Sequence, residues 1–366
     1  MGLSCGIVGL PNVGKSTLFN ALTNAKVAAS NFPFCTIDPN VGVVKVPDIR
    51  LGEITKRIKP QQVVPAIMEF VDIAGIVKGA SKGEGLGNKF LANIRETTAI
   101  VHVVRCFDDP NVIHVDGSVD PLRDVSVIDT ELMLADLETV SKRYPTIEKS
   151  AARDPKTFGK QAEVLKKVKD ALEAGTPVRA LNLDEKEMHE IRDLHLMTTK
   201  KVLYVGNVAE EFVANPNESP FYKRLADYAA KEKSGVVSIC GKIEAELVEL
   251  EGADKQEMLE SLGLKEDGLS RLIREAYKLL GLATYFTAGE KEVRAWTIHE
   301  GWKAPQAAGV IHTDFEKGFI KAEVYHYEDL VKLGNEAEIK AKGLMRLEGK
   351  EYIVRDGDVM HFRFNV

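Results

Sequence analysis

Hydrophobic and polar positions divide this chain into three textures. In the first, short apolar runs alternate with helical patterns. Cys5-Gly-Ile-Val8, Ile67-Met-Glu-Phe-Val71 and residues 99–107 read as buried strands, while 16–22 and 90–97 read as helices. Such alternation predicts a mainly parallel sheet covered on both faces. From Asp129 the period lengthens. Leu132, Leu137, Val140 and Tyr144 trace one helical face, and Val164, Leu165, Val168 and Leu172 another, with Arg153-Asp-Pro155 as the reversal. This predicts an αα-hairpin inserted into the sheet domain. Strand character returns at 202–205 and 236–239, and a stripe through Leu269, Leu272, Ile273, Ala276, Leu279 and Leu280 closes the domain. Past Leu282 the alternation has period two, in 292–298, 319–327 and 360–366, with one helix expected over 327–342. The pattern predicts an α/β chain in three parts: a sheet domain from 1–130 and 199–281, a helical-hairpin or coiled-coil insert at 131–198, and a small β-rich domain at 282–366.

Composition adds bounds. With 366 residues, 44% hydrophobic and 28% charged, the chain has ample material for a core. It shows no run of eighteen apolar residues and no charged-then-apolar leader, so the expectation is a cytoplasmic protein without a membrane segment. Cys5, Cys35, Cys106 and Cys240 lack metal-ligand spacing and the eight histidines are scattered, so no zinc site is expected. The net charge of −6 argues against the whole molecule coating nucleic acid. Between Lys142 and Lys169, however, nine basic residues stand against three acidic ones, a local excess of +6.

The candidate chemistry begins at Gly9-Leu-Pro-Asn-Val-Gly-Lys-Ser-Thr17, a G-x-x-x-x-G-K-S loop between a strand and a helix. In this arrangement backbone N–H groups from Asn12, Val13, Gly14, Lys15, Ser16 and Thr17 wrap a phosphate chain, Lys15 supplies positive charge, and the Ser16 hydroxyl faces Mg²⁺. Asp72, at the end of the strand 67–71, is placed to share that metal. Gly75 can offer its N–H to a γ-phosphate, and Thr36, in the proline-broken stretch 31–39, can add a hydroxyl to Mg²⁺. The P-loop NTPase fold with a γ-phosphate-sensing switch is the reading these positions support.

These residues resemble the first three motifs of translation-factor-related GTPases. The glycine-rich run 78–87, continued by Asn88-Lys-Phe-Leu-Ala-Asn93 and Ile94-Arg-Glu96, is similar to the Obg-related branch. The specific resemblance is to the YchF family, the Obg-like ATPases. It extends over the helical insert and over the C-terminal part, which resembles a TGS domain. The resemblance implies ATP as ligand and, through the TGS-like part, the ribosome or structured RNA as partner.

The base-reading segment departs from the GTPase pattern. Guanine is read by Asn-Lys-x-Asp, whereas this chain has Asn207-Val-Ala-Glu210. Val208 replaces the lysine, and the acid is one methylene longer. Adenine presents an N6 donor beside an N1 acceptor, which a backbone N–H/C=O pair or Asn207 can match. An unmatched buried group is costly, so the departure favours ATP over GTP. Ser238, Ile239 and Cys240 are the expected second wall of the base pocket.

Hydrolysis has to proceed without the usual glutamine, because Ile76 occupies its place after Asp72-x-x-Gly75. Besides Lys15, the catalytic candidate is His114, in the glycine- and proline-containing segment 108–121, which could swing toward the attacking water from a mobile loop. Its ordinary reading is a solvated histidine. Asn12 resembles the P-loop asparagine that holds a monovalent cation in related GTPases, so K⁺ joins Mg²⁺ as a candidate cofactor. Slow, regulated turnover follows. Two other readings stay open: a GTPase of the same fold, and a binding protein that senses adenine nucleotide with negligible turnover.

Overall fold

The computed structural model describes residues 3–24, 40–73, 86–115 and 117–365. Thr36, Gly75, Ile76 and Cys35 therefore lie outside the described residues. In chain order the first elements are β1 (Ser4–Val8), α1 (Lys15–Asn24), β2 (Val41–Lys45), α2 (Ile49–Ile58), β3 (Gln62–Val64), β4 (Ile67–Asp72), α3 (Leu86–Glu96) and β5 (Ala99–Cys106). They are followed by α4 (Pro121–Arg153), α5 (Pro155–Glu173), β6 (Val202–Val208) and β7 (Gly235–Ile239).

One sheet has the order β2-β4-β1-β5-β6-β7, and β4, β1, β5, β6 and β7 pair in parallel. Its central strands are buried along their whole length, as parallel strands covered on both faces must be. The C-terminal ends of β1, β4, β5 and β6 therefore converge, and the loops leaving them build the site.

Helix α4 starts ten residues before the expected boundary at 131. Asp120, taken as loop from sequence, caps it by accepting from Leu122 N and Arg123 N, with Pro121 in the first helical position. The reversal falls at Asp154, which ends α4 and caps α5 by accepting from Thr157 N. Val140, Ile147, Val164, Leu165, Val168 and Leu172 form the seam between the two helices. Buried polar ties fix the root of α4. Asp136 accepts from Met197 N, Thr198 N and Thr198 Oγ1 at 2.7–2.9 Å, and Asp129 pairs with Arg179 at 2.8 Å. The hairpin therefore belongs to the same compact unit as the parallel sheet, which comprises residues 1–43 and 69–276.

The second unit comprises 44–68 and 277–366. Its sheet adds β8 (Leu282–Ala288), β9 (Glu292–His299), β10 (Phe319–His326), β11 (Arg346–Glu348) and β12 (Asp358–Phe364) in the order β11-β10-β12-β8-β9-β3. Residues 44–68 pack in this unit. β3 pairs with β9, and Arg50 of α2 holds Asp356 at 2.6 Å. A three-residue strand carries too little periodicity to announce its partner. The single helix expected over 327–342 is two, Tyr327–Leu333 and Glu336–Ala341, broken at Gly334 with φ 86°. No helix among the described residues is long and apolar enough to cross a membrane.

Candidate functional site

The loop 9–14 leaves the end of β1 and turns into α1 through two left-handed residues, Asn12 at φ 63° and Gly14 at φ 92°. Gly14 is required twice over. Its φ disfavours any side chain, and a Cβ there would collide with Asn207 Nδ2. Lys15, at the first residue of α1, is buried and forms an ion pair with Asp72 Oδ1 at the end of β4. The two residues linked by sequence pattern alone, fifty-seven positions apart, thus meet in space.

A cavity of about 1110 Å³ opens over this pair. Asn12, Gly14, Lys15, Ser16, Thr17 and Asp72 form its floor, Phe107, Asp109 and Val112 one side, and Gly241, Lys242, Ala245, Glu246 and Glu249 the other. Its size suits a nucleotide, and phosphate-binding backbone at a helix start lies at one end.

Asn207 is the hinge of the arrangement. Its Nδ2 donates to Val13 O at 2.9 Å and its Oδ1 accepts from Gly241 N at 3.0 Å. Both polar atoms of the amide are thereby engaged in tying the phosphate loop to the helix Gly241–Val248. Asn207 also lines the cavity, and each atom keeps one further hydrogen-bonding position. Val208, Ser238, Ile239 and Cys240 are buried and do not line the cavity. On that side the cavity is lined along the helix Gly241–Val248, which Cys240 precedes. Sequence reading missed Lys242, whose Nζ pairs with Glu210 Oε1 at 2.5 Å at the cavity rim. Its only signal was its place two residues after Cys240.

His114 also departs from expectation. It is neither solvated nor directed into the cavity: the residue is 8% exposed, and its Nε2 is hydrogen-bonded to the buried Asp124 Oδ2 of α4 at 2.9 Å. Its loop does reach the phosphate end, where Asn12 Nδ2 donates to Ile113 O at 3.1 Å. The burial of Asp124 in the first turn of α4 is not legible in the sequence, where Asp120-Pro121 reads as loop.

A further titratable group sits just behind the cavity wall. Glu244, on the helix Gly241–Val248, accepts from Gly268 N and Leu269 N, and burial pushes its carboxyl up to about 7.

Comparison with known proteins gives a consistent picture. Residues 4–143 match a family model described as a 50S ribosome-binding GTPase, and residues 282–365 match the YchF-GTPase C-terminal model, described as a protein of unknown function. The chain is 56% identical to the "Ribosome-binding ATPase YchF" of Bacillus subtilis and 55% identical to that of Escherichia coli O157:H7, with the whole of both chains covered in each case. Among solved structures it is similar to the YchF GTPase of Schizosaccharomyces pombe, with a TM-score of 0.88 and 38% identity, covering 99% of this chain and 98% of that one.

Proposed function

Because this chain belongs to the YchF family, we propose that it is an ATP-binding and ATP-hydrolysing switch that associates with the ribosome. The observation that carries the nucleotide part is the meeting of Lys15, Asp72 and the phosphate loop on the floor of one nucleotide-sized cavity. The names of similar proteins divide between ATPase and GTPase, so the base rests on chemistry. Val208 cannot supply the lysine that packs along guanine, and it is buried away from the cavity. Glu210, the acid in the guanine-reading position, is engaged by Lys242. A backbone N–H/C=O pair, or the remaining N–H and lone pair of Asn207, reads the adenine edge.

In this mechanism the Lys15 ammonium and the loop N–H groups bind the phosphates. Ser16 and Asp72 are hard oxygen donors at the same place and suit Mg²⁺, with Thr36 as the third candidate ligand. Mg²⁺ held by these residues would supply positive charge against the phosphate chain. Asn12 holds Ile113 O through Nδ2, which turns its Oδ1 into the available ligand atom for K⁺. His114 orients water after its imidazole leaves Asp124, a step that makes intrinsic turnover slow.

The ribosome contact is assigned to RNA phosphates at the far end of the hairpin. Helix α4 has 33 residues and so extends about 50 Å. Lys142 of α4 is paired to Glu138, and Lys167 and Lys169 of α5 to Glu187 and Glu173. Lys149, Arg153, Lys156 and Lys160 are exposed around the reversal. The test is phosphate release from ATP, with Lys15→Ala as the inactive control, followed by co-sedimentation with ribosomes in ATP and in ADP. Release by wild type alone, with nucleotide-dependent co-sedimentation, supports the reading. Equal release by both proteins, or no co-sedimentation in either nucleotide at low salt, contradicts it.

A further inference from the structure

Arg105 is the largest fully buried side chain among the described residues, at 1% exposed, and stands near the C-terminal end of β5. A guanidinium in that environment is expensive unless its N–H groups are met. Here they are met by backbone. Nε donates to Phe107 O at 3.1 Å, Nη1 to Val112 O at 2.9 Å and Nη2 to Asp109 O at 3.3 Å, while the Phe107 ring lies 4.5 Å from Cζ. One planar fork therefore gathers three carbonyls of the segment that follows the strand. That segment forms a side of the nucleotide cavity through Phe107, Asp109 and Val112. Immediately beyond it, Ile113 O is held by Asn12 and His114 by Asp124.

We propose that Arg105 is a positioning residue for ATP turnover, acting through the 107–115 loop to hold the Ile113 carbonyl against Asn12 of the phosphate loop and His114 in its place beside Asp124. The assignment rests on the ATPase reading above. No single smaller residue reproduces the fork: lysine keeps the charge but concentrates its donors at one point, and glutamine keeps a planar donor group but spans fewer carbonyls. Displacing a positioned group by about 1 Å is enough to cost on the order of 100-fold in rate.

The test is a single-turnover measurement on full-length protein, because its rate constant does not depend on the fraction of active molecules. Arg105→Gln is expected to lower the rate constant about 10- to 100-fold while ATP affinity changes less than about threefold, with Arg105→Lys intermediate. In a His114→Ala background, Arg105→Gln is expected to add less than about twofold, as two members of one unit do. If Arg105→Gln fails to fold, Arg105→Lys carries the test, and a wild-type rate in it overturns the proposal. Unchanged rates in both variants, or full additivity with His114→Ala, also overturn it. Wild-type protein that releases no phosphate would remove the ATPase reading and this assignment together. Normal wild-type turnover with unaffected variants would remove the assignment alone.

Discussion

Asn207 Nδ2 donates to the carbonyl of Val13, 194 residues earlier in the chain, at 2.9 Å. The same amide accepts from Gly241 N, so one side chain joins the phosphate loop, the end of β6 and the wall helix Gly241–Val248. Asn207→Ala leaves two buried backbone groups without partners, at about 1–3 kcal/mol each. The expected result is a fall of at least about tenfold in nucleotide affinity with a lower unfolding midpoint. Gly14→Ala, which puts a methyl against that amide in a left-handed conformation, is expected to do at least as much. Isothermal titration with ATP and denaturant melts of both variants check this; wild-type affinity in either would contradict the tie.

Asp72 shares its carboxylate with Lys15, and in the proposed mechanism it also serves Mg²⁺. Removing Mg²⁺ with chelator should weaken ATP binding by wild type and stop turnover. Asp72→Asn should lower turnover by about 100-fold and flatten the Mg²⁺ dependence of ATP binding. Fluorescent-nucleotide displacement across a Mg²⁺ series separates the two cases. A variant whose Mg²⁺ curve overlays that of wild type would take Asp72 out of the metal site.

Glu244 provides a pH signature. Its folded carboxyl sits near 7, against an ordinary value of 4.5, because burial disfavours the charged form. Between those values the folded state binds more protons than the unfolded state, so stability falls as pH rises from 4.5 to 7 and, for this group, is level outside that window. The contribution is about 3 kcal/mol at most. Glu244→Gln should remove that slope and be relatively more stable at pH 8 than at pH 5. Urea unfolding of both proteins at the two pH values measures it; parallel curves would show that the carboxyl is not the source.

The exposed cations around the α4–α5 reversal give a salt-dependent prediction. Replacing Lys149, Arg153, Lys156 and Lys160 by glutamine should leave ATP turnover intact and weaken ribosome co-sedimentation. The slope of log affinity against log salt should fall by up to about three to four. An unchanged slope would assign the contact to another surface.

The parts of this fold that were legible in sequence are those with strong periodicity or fixed spacing. Residues 99–107 announced a buried strand, and Gly9–Thr17 announced a phosphate loop whose Lys15 does meet Asp72. What escaped depends on contacts between distant residues. Nothing local in Gln62-Val-Val64 indicates β9 as partner, and Asp120-Pro121 looks equally like a loop and a helix start. Arg105 lay unnoticed as a lone charge in an apolar run, since its three carbonyl partners belong to a turn whose shape only the fold defines. His114 was found by type, but its burial against Asp124 required knowing where α4 begins.

In the proposed function the Lys15–Asp72 cavity takes ATP in preference to GTP because Val208 and Glu210 do not read guanine. Competition binding of ATP and GTP to the same protein in Mg²⁺ and K⁺, with phosphate release from each, tests it most directly. ATP is expected to bind at least about tenfold more tightly, a gap of about 1.4 kcal/mol, and to be hydrolysed slowly. GTP bound as tightly as ATP, or hydrolysed faster, would contradict it.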